Sequence, residues 1–209
     1  TLEFYFKGGW HVFISRAAVV LYTSSNIFIL GLFTNITMVG FYSIAEKVIG
    51  AISSIGSMIN QVLFPYLSKI WSKNQQNYYI KFTNIFKVMS VGMLTIAIII
   101  FMLSPYIINL LSGENIEEST ILLRLLSVAV VLFPLGGLFT QSFVTQNKNI
   151  FVTKATMYTA LVNLFLVTVL TGLYGMYGLA FSVVLVQLFH LYINSRYFLQ
   201  LKRNSVCAE

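Results

Sequence analysis

The stretch that decides the fold is residues 40–69, GFYSIAEKVIGAISSIGSMINQVLFPYLSK. Read as a helix, it carries a polar face along an apolar segment, because polar or small residues recur at steps of three and four. A helix surrounded by lipid has no use for such a face, since a buried polar group without a partner costs free energy. The stretch therefore predicts a membrane helix with one side on lipid and the other on a wet cavity or on neighbouring helices. With neighbours one position round the helix, the polar face comprises Glu46, Lys47, Gly50, Ser53, Ser54, Ser57, Asn60 and Gln61.

The composition of the whole chain points the same way. Of its 209 residues, 57% are hydrophobic and only 9% are charged, and the mean hydropathy is +0.82. Soluble domains are about one quarter charged. The apolar runs are about 20 residues long, which is typical of spanning helices rather than of a β-barrel. We therefore predict an all-α membrane protein, in which the net charge of +7 reflects basic loops rather than a nucleic-acid partner.

Six apolar runs predict a single six-transmembrane-helix bundle across residues 1–209, with no linker long enough to divide it. Pro65 stands where the second span is expected to end, and a kink is expected at Pro105. Pro134 followed by the glycine pair of residues 136–137 predicts a kinked or broken fourth helix. Because the chain opens at Thr1 without methionine, we expect it to be a piece of a longer protein. The predicted spans are residues 10–32, 40–66, 84–111, 119–145, 155–171 and 177–198.

The charges in the loops predict how the bundle is oriented. The turns at residues 33–39, 112–118 and 172–176 contain neither lysine nor arginine. Since loops rich in Lys and Arg stay in the cytoplasm, the pattern predicts that both ends of this segment are cytoplasmic. The basic residues that fall together on the other side are Lys69, Lys73, Lys81, Lys148, Lys154, Lys202 and Arg203.

The sequence lacks the residue sets that enzymes use. It has two histidines, no aspartate and one cysteine, Cys207, so Ser-His-Asp arrangements, clustered metal ligands and a disulfide framework are excluded for this chain. No glycine-rich phosphate loop follows a strand pattern. We therefore predict a transporter rather than an enzyme, without cofactor or metal.

Ionisable residues within the predicted spans are the strongest functional signal, because a charge in hydrocarbon is costly to hold. Arg16, Lys47 and Arg124 predict a cationic cavity that attracts an anionic substrate. Glu46 would hold a proton or a cation, or restrain a neighbouring base. The alternative is structural: Glu46 pairs with Arg124, and Arg16 extends to the membrane interface.

A second polar seam follows the sixth span, where Gln187, His190, Asn194 and Tyr197 repeat at steps of three and four. His190 would titrate during a transport cycle, or would be hydrogen-bonded to a neighbouring helix. With Asn26 of the first span, these residues complete the predicted substrate-binding and cavity-lining set. That set is Lys47, Arg124, Arg16, Glu46, Ser53, Ser54, Ser57, Asn60, Gln61, Asn26, Gln187 and His190.

Four runs carry a resemblance to a known family: GWHVFISRAAVVLYTSSNIFILGLF (9–33), VGFYSIAEKVIGAISSIGSMINQVLFPYLSK (39–69), ENIEESTILLRLLSVAVVLFPLGGLF (114–139) and QNKNIFVTK (146–154). The chain resembles bacterial polysaccharide flippases of the multidrug/oligosaccharidyl-lipid/polysaccharide (MOP) export superfamily, O-antigen flippases above all. The resemblance implies two MATE-like six-helix bundles around a central cavity, with this chain as the C-terminal bundle and an N-terminal half as its partner.

The implied substrate is an undecaprenyl-pyrophosphate-linked oligosaccharide, moved across the bacterial inner membrane among membrane lipids by alternating access. Many relatives carry an acidic residue where this chain has Asn26, and this departure from the family pattern argues against a coupling-ion role for that helix.

Other functions stay open from the residues alone. A multidrug or cation antiporter of the same superfamily would need acidic residues in the cavity, and here three bases stand against one acid. A lipid-linked peptidoglycan precursor flippase has a similar cationic cavity. A membrane-embedded transferase would need a polar catalytic motif, and a structural subunit would use its polar seams to join helices.

Overall fold

The computed structural model describes Phe13 and residues 25–206, with side chains to residue 203. Arg16, Cys207 and most of the predicted first span lie outside these residues, so the count of six spans stays a prediction. The described part of the first span is helical over residues 25–33 (α1). Four long helices follow, which are α2 (Ile36–Lys73), α3 (Gln75–Ser112), α4 (Glu117–Thr145) and α5 (Asn149–Val206). Each of the four is long and apolar enough to cross a membrane, which confirms the all-α membrane fold.

The helix α5 is a hairpin of two antiparallel arms. The backbone leaves the helical region at Gly175, with φ 58° and ψ −136°, values that favour glycine. The rings of Phe151 and Tyr197 have centroids 5.0 Å apart, whereas a straight helix would hold these residues about 70 Å apart. The chain therefore folds back at the predicted glycine turn, and we call residues 149–174 the first arm and residues 176–206 the second arm.

The helices continue where the sequence predicts breaks. The helix α2 runs through Pro65 to Lys73, and α3 begins only two residues later, at Gln75. Asn74 joins them: its backbone N–H donates to the Ile70 carbonyl at 2.9 Å, and its side chain caps α3. The predicted helix end at Pro65 is therefore wrong, and residues 67–82 are helical except for Asn74. One capping asparagine is enough to reverse the chain between two helices.

Prolines inside α3 and α4 also leave the helices unbroken. The helix α3 passes through Pro105, and α4 passes through Pro134 and the two glycines that follow it. The fourth helix is therefore not broken, and the kinks expected at Pro105 and Pro134 stay predictions. Neighbouring helices pack against α4 at Pro134 and stabilise it there, as described below.

The helix α4 lies at the centre of the bundle. It runs parallel to α2 in one register: Ser119 donates to the Phe41 carbonyl at 3.0 Å, and Asn60 donates to the Pro134 carbonyl at 2.9 Å. The helix α3 is antiparallel to α4, because Tyr78 at the start of α3 donates to Ser142 near the end of α4. Every other long helix therefore packs against α4, which is the most deeply buried of the four candidate spans.

The basic segments of the chain meet at one end of the bundle. Trp71 and Tyr78 make an edge-to-face contact there, with ring centroids 5.2 Å apart, and Phe198 packs on Tyr79. This end carries the basic residues that the sequence analysis groups together, and we call it the basic end. At the opposite end, Phe33 packs beside Gly172. The structure thus brings the basic segments together, and their cytoplasmic location stays a prediction.

Candidate functional site

The polar face of α2 divides into an inner contact and an outer stripe. The inner contact consists of Gly56 and Asn60, both buried against α4. The outer stripe, which we call the polar stripe, follows α2 at steps of three and four, as expected of one side of a helix. All of its members are exposed: Lys47, Gly50, Ser54, Ser57 and Gln61.

The inner contact joins α2 to α4 at very close range. A Cβ atom added to Gly56 would overlap the Pro134 ring, with Cβ of the proline only 2.7 Å away. The Asn60 amide donates to the Pro134 carbonyl, and a Cβ on Gly137 would lie 2.7 Å from the same amide nitrogen. Small residues let two membrane helices approach this closely. Asn60, predicted to line a cavity, therefore holds two helices together.

The polar stripe has the opposite character. A Cβ on Gly50 would meet nothing within 4 Å. The Ser54 hydroxyl donates to the Gly50 carbonyl at 2.8 Å, and the Ser57 hydroxyl donates to the Ser54 carbonyl at 2.9 Å. These bonds use the hydroxyl protons and leave the hydroxyl lone pairs as acceptors for water or a ligand. The exposed Lys47 ammonium can meet the same water or ligand. The stripe is thus an open surface whose side chains can form hydrogen bonds.

Apolar side chains surround the stripe on the rest of the bundle surface. The most exposed side chains of α3 include Val88, at 74%, and Met102, at 69%. On α2 itself the side towards α3 is apolar, since Ile59 and Leu63 line a groove with α3. Lys47 projects about 120–160° round the helix from those two residues. The polar stripe therefore lies on the side of α2 that is turned away from α3.

The structure does not bring Arg124 to the polar stripe. The Arg124 Nε donates to the Ser104 hydroxyl of α3 at 2.9 Å, and its guanidinium lies 5.6 Å from the centroid of the Phe101 ring. Within residues 25–203, Glu46 forms no ion pair with Arg124. Glu46 is half-buried beside the stripe. The structure therefore does not place Lys47 and Arg124 around one shared cationic cavity.

Two further members of the predicted set flank or leave the stripe. Ser53 is half-buried beside it, and its hydroxyl has no hydrogen-bond partner among the residues that the structure describes. Asn26 of α1 is 5% exposed, and its side-chain carbonyl accepts from Asn163 of the first α5 arm at 2.9 Å. Asn26 therefore joins two helices instead of facing an open cavity.

The seam on the second α5 arm faces the interior of the bundle. Gln187 is 4% exposed. His190 is half-buried beside α4, where a Cβ on Gly136 would lie 2.9 Å from its Nδ1. These two predicted cavity-lining residues therefore pack between helices. Across the described ranges, no group of three His, Cys, Asp or Glu residues is placed to hold a metal ion.

Sequence reasoning missed a buried polar network at the basic end. Tyr78 and Tyr79 are only 0% and 4% exposed. The Tyr78 hydroxyl donates to the Ser142 hydroxyl at 2.7 Å, and the Gln146 amide donates to the Ser142 hydroxyl at 3.0 Å. The available signal was the i, i+4 spacing of Ser142 and Gln146, which places two polar groups on one face of the helix end.

Comparisons with known proteins add the evolutionary evidence. Residues 2–71 match the model of a family described as "Polysaccharide biosynthesis protein". A protein of Escherichia coli (strain K12) named "Putative O-antigen transporter" is 24% identical over 177 residues, which are 84% of this chain and 43% of that protein. A protein of Shigella dysenteriae with the same name is 25% identical over 189 residues, covering 85% of this chain and 44% of that protein.

These matches confirm the resemblance to polysaccharide exporters predicted from the sequence. Both relatives are named as transporters, in agreement with the prediction of a transporter rather than an enzyme. The chain spans less than half the length of each of them.

Proposed function

We propose that this chain is one helix bundle of a polysaccharide transporter that flips an undecaprenyl-pyrophosphate-linked oligosaccharide across the bacterial inner membrane. A second bundle would complete the transporter, and the greater length of the curated relatives supports this. Their names support a substrate of the O-antigen type. The lipid-linked form of the substrate is our proposal, on the ground that a cationic, wet surface suits a pyrophosphate bearing sugars.

The polar stripe of α2 is the observation that carries this proposal. From Lys47 to Gln61 the stripe extends about 21 Å along the helix, a large part of a hydrocarbon core of about 30 Å. The two serine hydroxyls already donate to backbone carbonyls, but lipid would leave the Lys47 ammonium and the Gln61 amide without partners. A water-filled cavity between this bundle and the second one would satisfy them. We therefore assign the polar stripe as one wall of the transport path.

The geometry also supports a rigid-body mechanism. The inner contact fixes α2 to α4 through Gly56 and Asn60, so the polar stripe would move together with the bundle core. Rocking of two such bundles would expose the stripe to one side of the membrane and then to the other. Lys47 would attract the pyrophosphate, sugars would hydrogen-bond along the stripe, and the polyprenyl chain would stay in lipid. Arg124, held by α3, would stabilise the bundle instead of binding substrate.

Cysteine accessibility tests this assignment directly. Single cysteines at Ser54 and Ser57 of the stripe, and at the buried Asn60 as the matched control, would be placed in the full-length protein with Cys207 replaced. We expect a membrane-impermeant thiol reagent to label the two stripe positions and not Asn60, and lipid-linked oligosaccharide to protect them. If neither stripe position is labelled in any conformational state, the stripe packs against helices and the transport path lies elsewhere.

Charge removal tests the role of Lys47. We expect Lys47→Gln to lower export about tenfold at unchanged expression, because it removes one contact between a charge and a phosphate. A tenfold loss corresponds to about 1.4 kcal/mol. Lys69→Gln on the same helix is the matched control, since that exposed lysine lies at the basic end, and it should export normally. Wild-type export by the Lys47 variant would remove Lys47 from the substrate site.

A further inference from the structure

An apolar groove opens on the surface of the bundle, close to the basic end. It has a volume of about 390 Å³ and lies between α3 and the second α5 arm, with α4 as its floor. The side chains that make it apolar are Phe82, Phe86, Phe139, Leu188, Leu191 and Phe198. Its polar edge consists of three hydroxyl residues, Thr83, Tyr192 and Ser195.

A basic cleft adjoins this groove on the second α5 arm. The cleft has a volume of about 650 Å³, and Arg196, Gln200 and Arg203 line it. Leu199 lines both the cleft and the groove. Arg196 stands four residues beyond Tyr192, and Arg203 stands four beyond Leu199, so each arginine lies one turn past a residue of the groove. The groove therefore leads directly into a cleft lined by two arginines.

The junction of groove and cleft lies at the predicted boundary of the hydrocarbon core. The third predicted span begins at residue 84 and the sixth ends at residue 198, so Thr83 and Leu199 stand just outside it. Most of the apolar wall thus extends into the membrane, and Thr83 lies at the boundary. The two arginines flank that boundary, with Arg196 two residues inside the predicted end of the sixth span and Arg203 five residues beyond it. An apolar groove that meets two guanidinium groups at this depth matches a phospholipid, whose acyl chain leads to a phosphate at the interface.

We propose that the groove and cleft together bind an anionic phospholipid of the surrounding membrane. One acyl chain lies along the groove, and the phosphate lies between Arg196 and Arg203. Arginine recognises phosphate through paired N–H donors, and basic pockets between helices at the cytoplasmic side are typical anionic-lipid sites. A zwitterionic lipid presents a positive group beside its phosphate and gains less from two arginines. The site is formed by α3, α4 and α5 and does not depend on the proposed function of the α2 stripe.

Paired charge variants test the headgroup contact. Fluorescent phosphatidylglycerol or phosphatidylcholine would be titrated into purified full-length protein in detergent. The double variant R196Q/R203Q should bind phosphatidylglycerol about tenfold more weakly and phosphatidylcholine as the wild type does. The matched control is K148Q/K154Q, which removes the same charge from exposed lysines at the same end and should bind both lipids normally. Unchanged affinity in R196Q/R203Q, or an equal loss in both double variants, overturns the proposal.

A groove-filling variant tests the acyl-chain contact with both arginines intact. Thr83→Trp should weaken phosphatidylglycerol binding severalfold, whereas Leu161→Trp, at an exposed position on the first α5 arm, should not. Size-exclusion profiles and thermal unfolding would confirm that the variants are folded. If R196Q/R203Q does not fold, the Thr83→Trp experiment decides the proposal. Glycerol phosphate at the same concentration should not compete, because it cannot occupy the groove. If glycerol phosphate competes, or if an isoprenyl pyrophosphate displaces phosphatidylglycerol one for one, the groove is not a phospholipid site.

Discussion

The two sides of α2 are built from similar residues and have opposite environments. On the inner side, Gly56 and Asn60 pack against Pro134 so closely that a single added carbon would collide. On the outer side, Gly50 has nothing within 4 Å of an added Cβ, and Gln61 is exposed. Both sides belong to one polar face in the sequence. Glycine and small polar residues in a membrane helix therefore serve either close packing or an open surface.

The difference separates stability from transport along one helix. Changes on the inner side should lower the unfolding free energy of the bundle, and changes on the outer side should leave its stability unchanged and alter export.

The largest effect is expected for Gly56→Ala. The added methyl would overlap the rigid Pro134 ring, and overpacking of this kind costs about 1–3 kcal/mol of unfolding free energy. Gly50→Ala is the matched control, and it should be neutral or slightly stabilising, because alanine is a better helix former. Thermal unfolding of the purified full-length variants measures both. Equal stability of the two variants would mean that α2 and α4 are not packed as described.

A smaller effect is expected for Asn60→Ala. This change removes the amide that donates to the Pro134 carbonyl at 2.9 Å, and interhelical hydrogen bonds in membranes contribute about 0.6–2 kcal/mol. Gln61→Ala, one residue further along and exposed, should unfold at the wild-type temperature. The comparison is contradicted if Gln61→Ala is the less stable variant, since that would place the packed side of α2 where the polar stripe lies.

The smallest effect is expected at Arg124. A double-mutant cycle of Arg124→Gln with Ser104→Ala should give a coupling energy of about 0.6 kcal/mol, because the two side chains share one hydrogen bond. Export by the folded Arg124 variant should stay near the wild-type rate. Loss of export without loss of stability would instead return Arg124 to the substrate path together with Lys47.

Much of the fold follows from the sequence because the bilayer allows few solutions. Backbone groups in hydrocarbon must be satisfied within a helix, so the apolar runs had to be helical. The glycine turn between the fifth and sixth spans was predicted, and Gly175 supplies its positive φ. The helix end expected at Pro65 was wrong. Proline removes one backbone N–H donor, and a membrane helix tolerates that loss. The end lies instead at Asn74, where the side chain caps the next helix.

The candidate site was harder to predict than the fold. The sequence located the polar residues of α2 but could not divide them, because Asn60 and Gln61 differ by only one position. Lys47 and Arg124 were paired by charge and by depth in the membrane. The structure directs Arg124 to Ser104 on α3 instead. Arg196 carried no signal in the sequence, since its position beside an apolar groove depends on how α3 and α5 separate.

The sequence by itself determined that this protein is helical, membrane-embedded and basic at one end, because those properties depend on local hydropathy and charge. Only the tertiary structure decided which polar side chains are buried between helices and which are open. That choice depends on the rotation of each helix about its axis, which is set by contacts between residues far apart in the chain. Gly56 and Pro134, which have the whole of α3 between them in the chain, fix that rotation for α2 and leave the polar stripe on the outside.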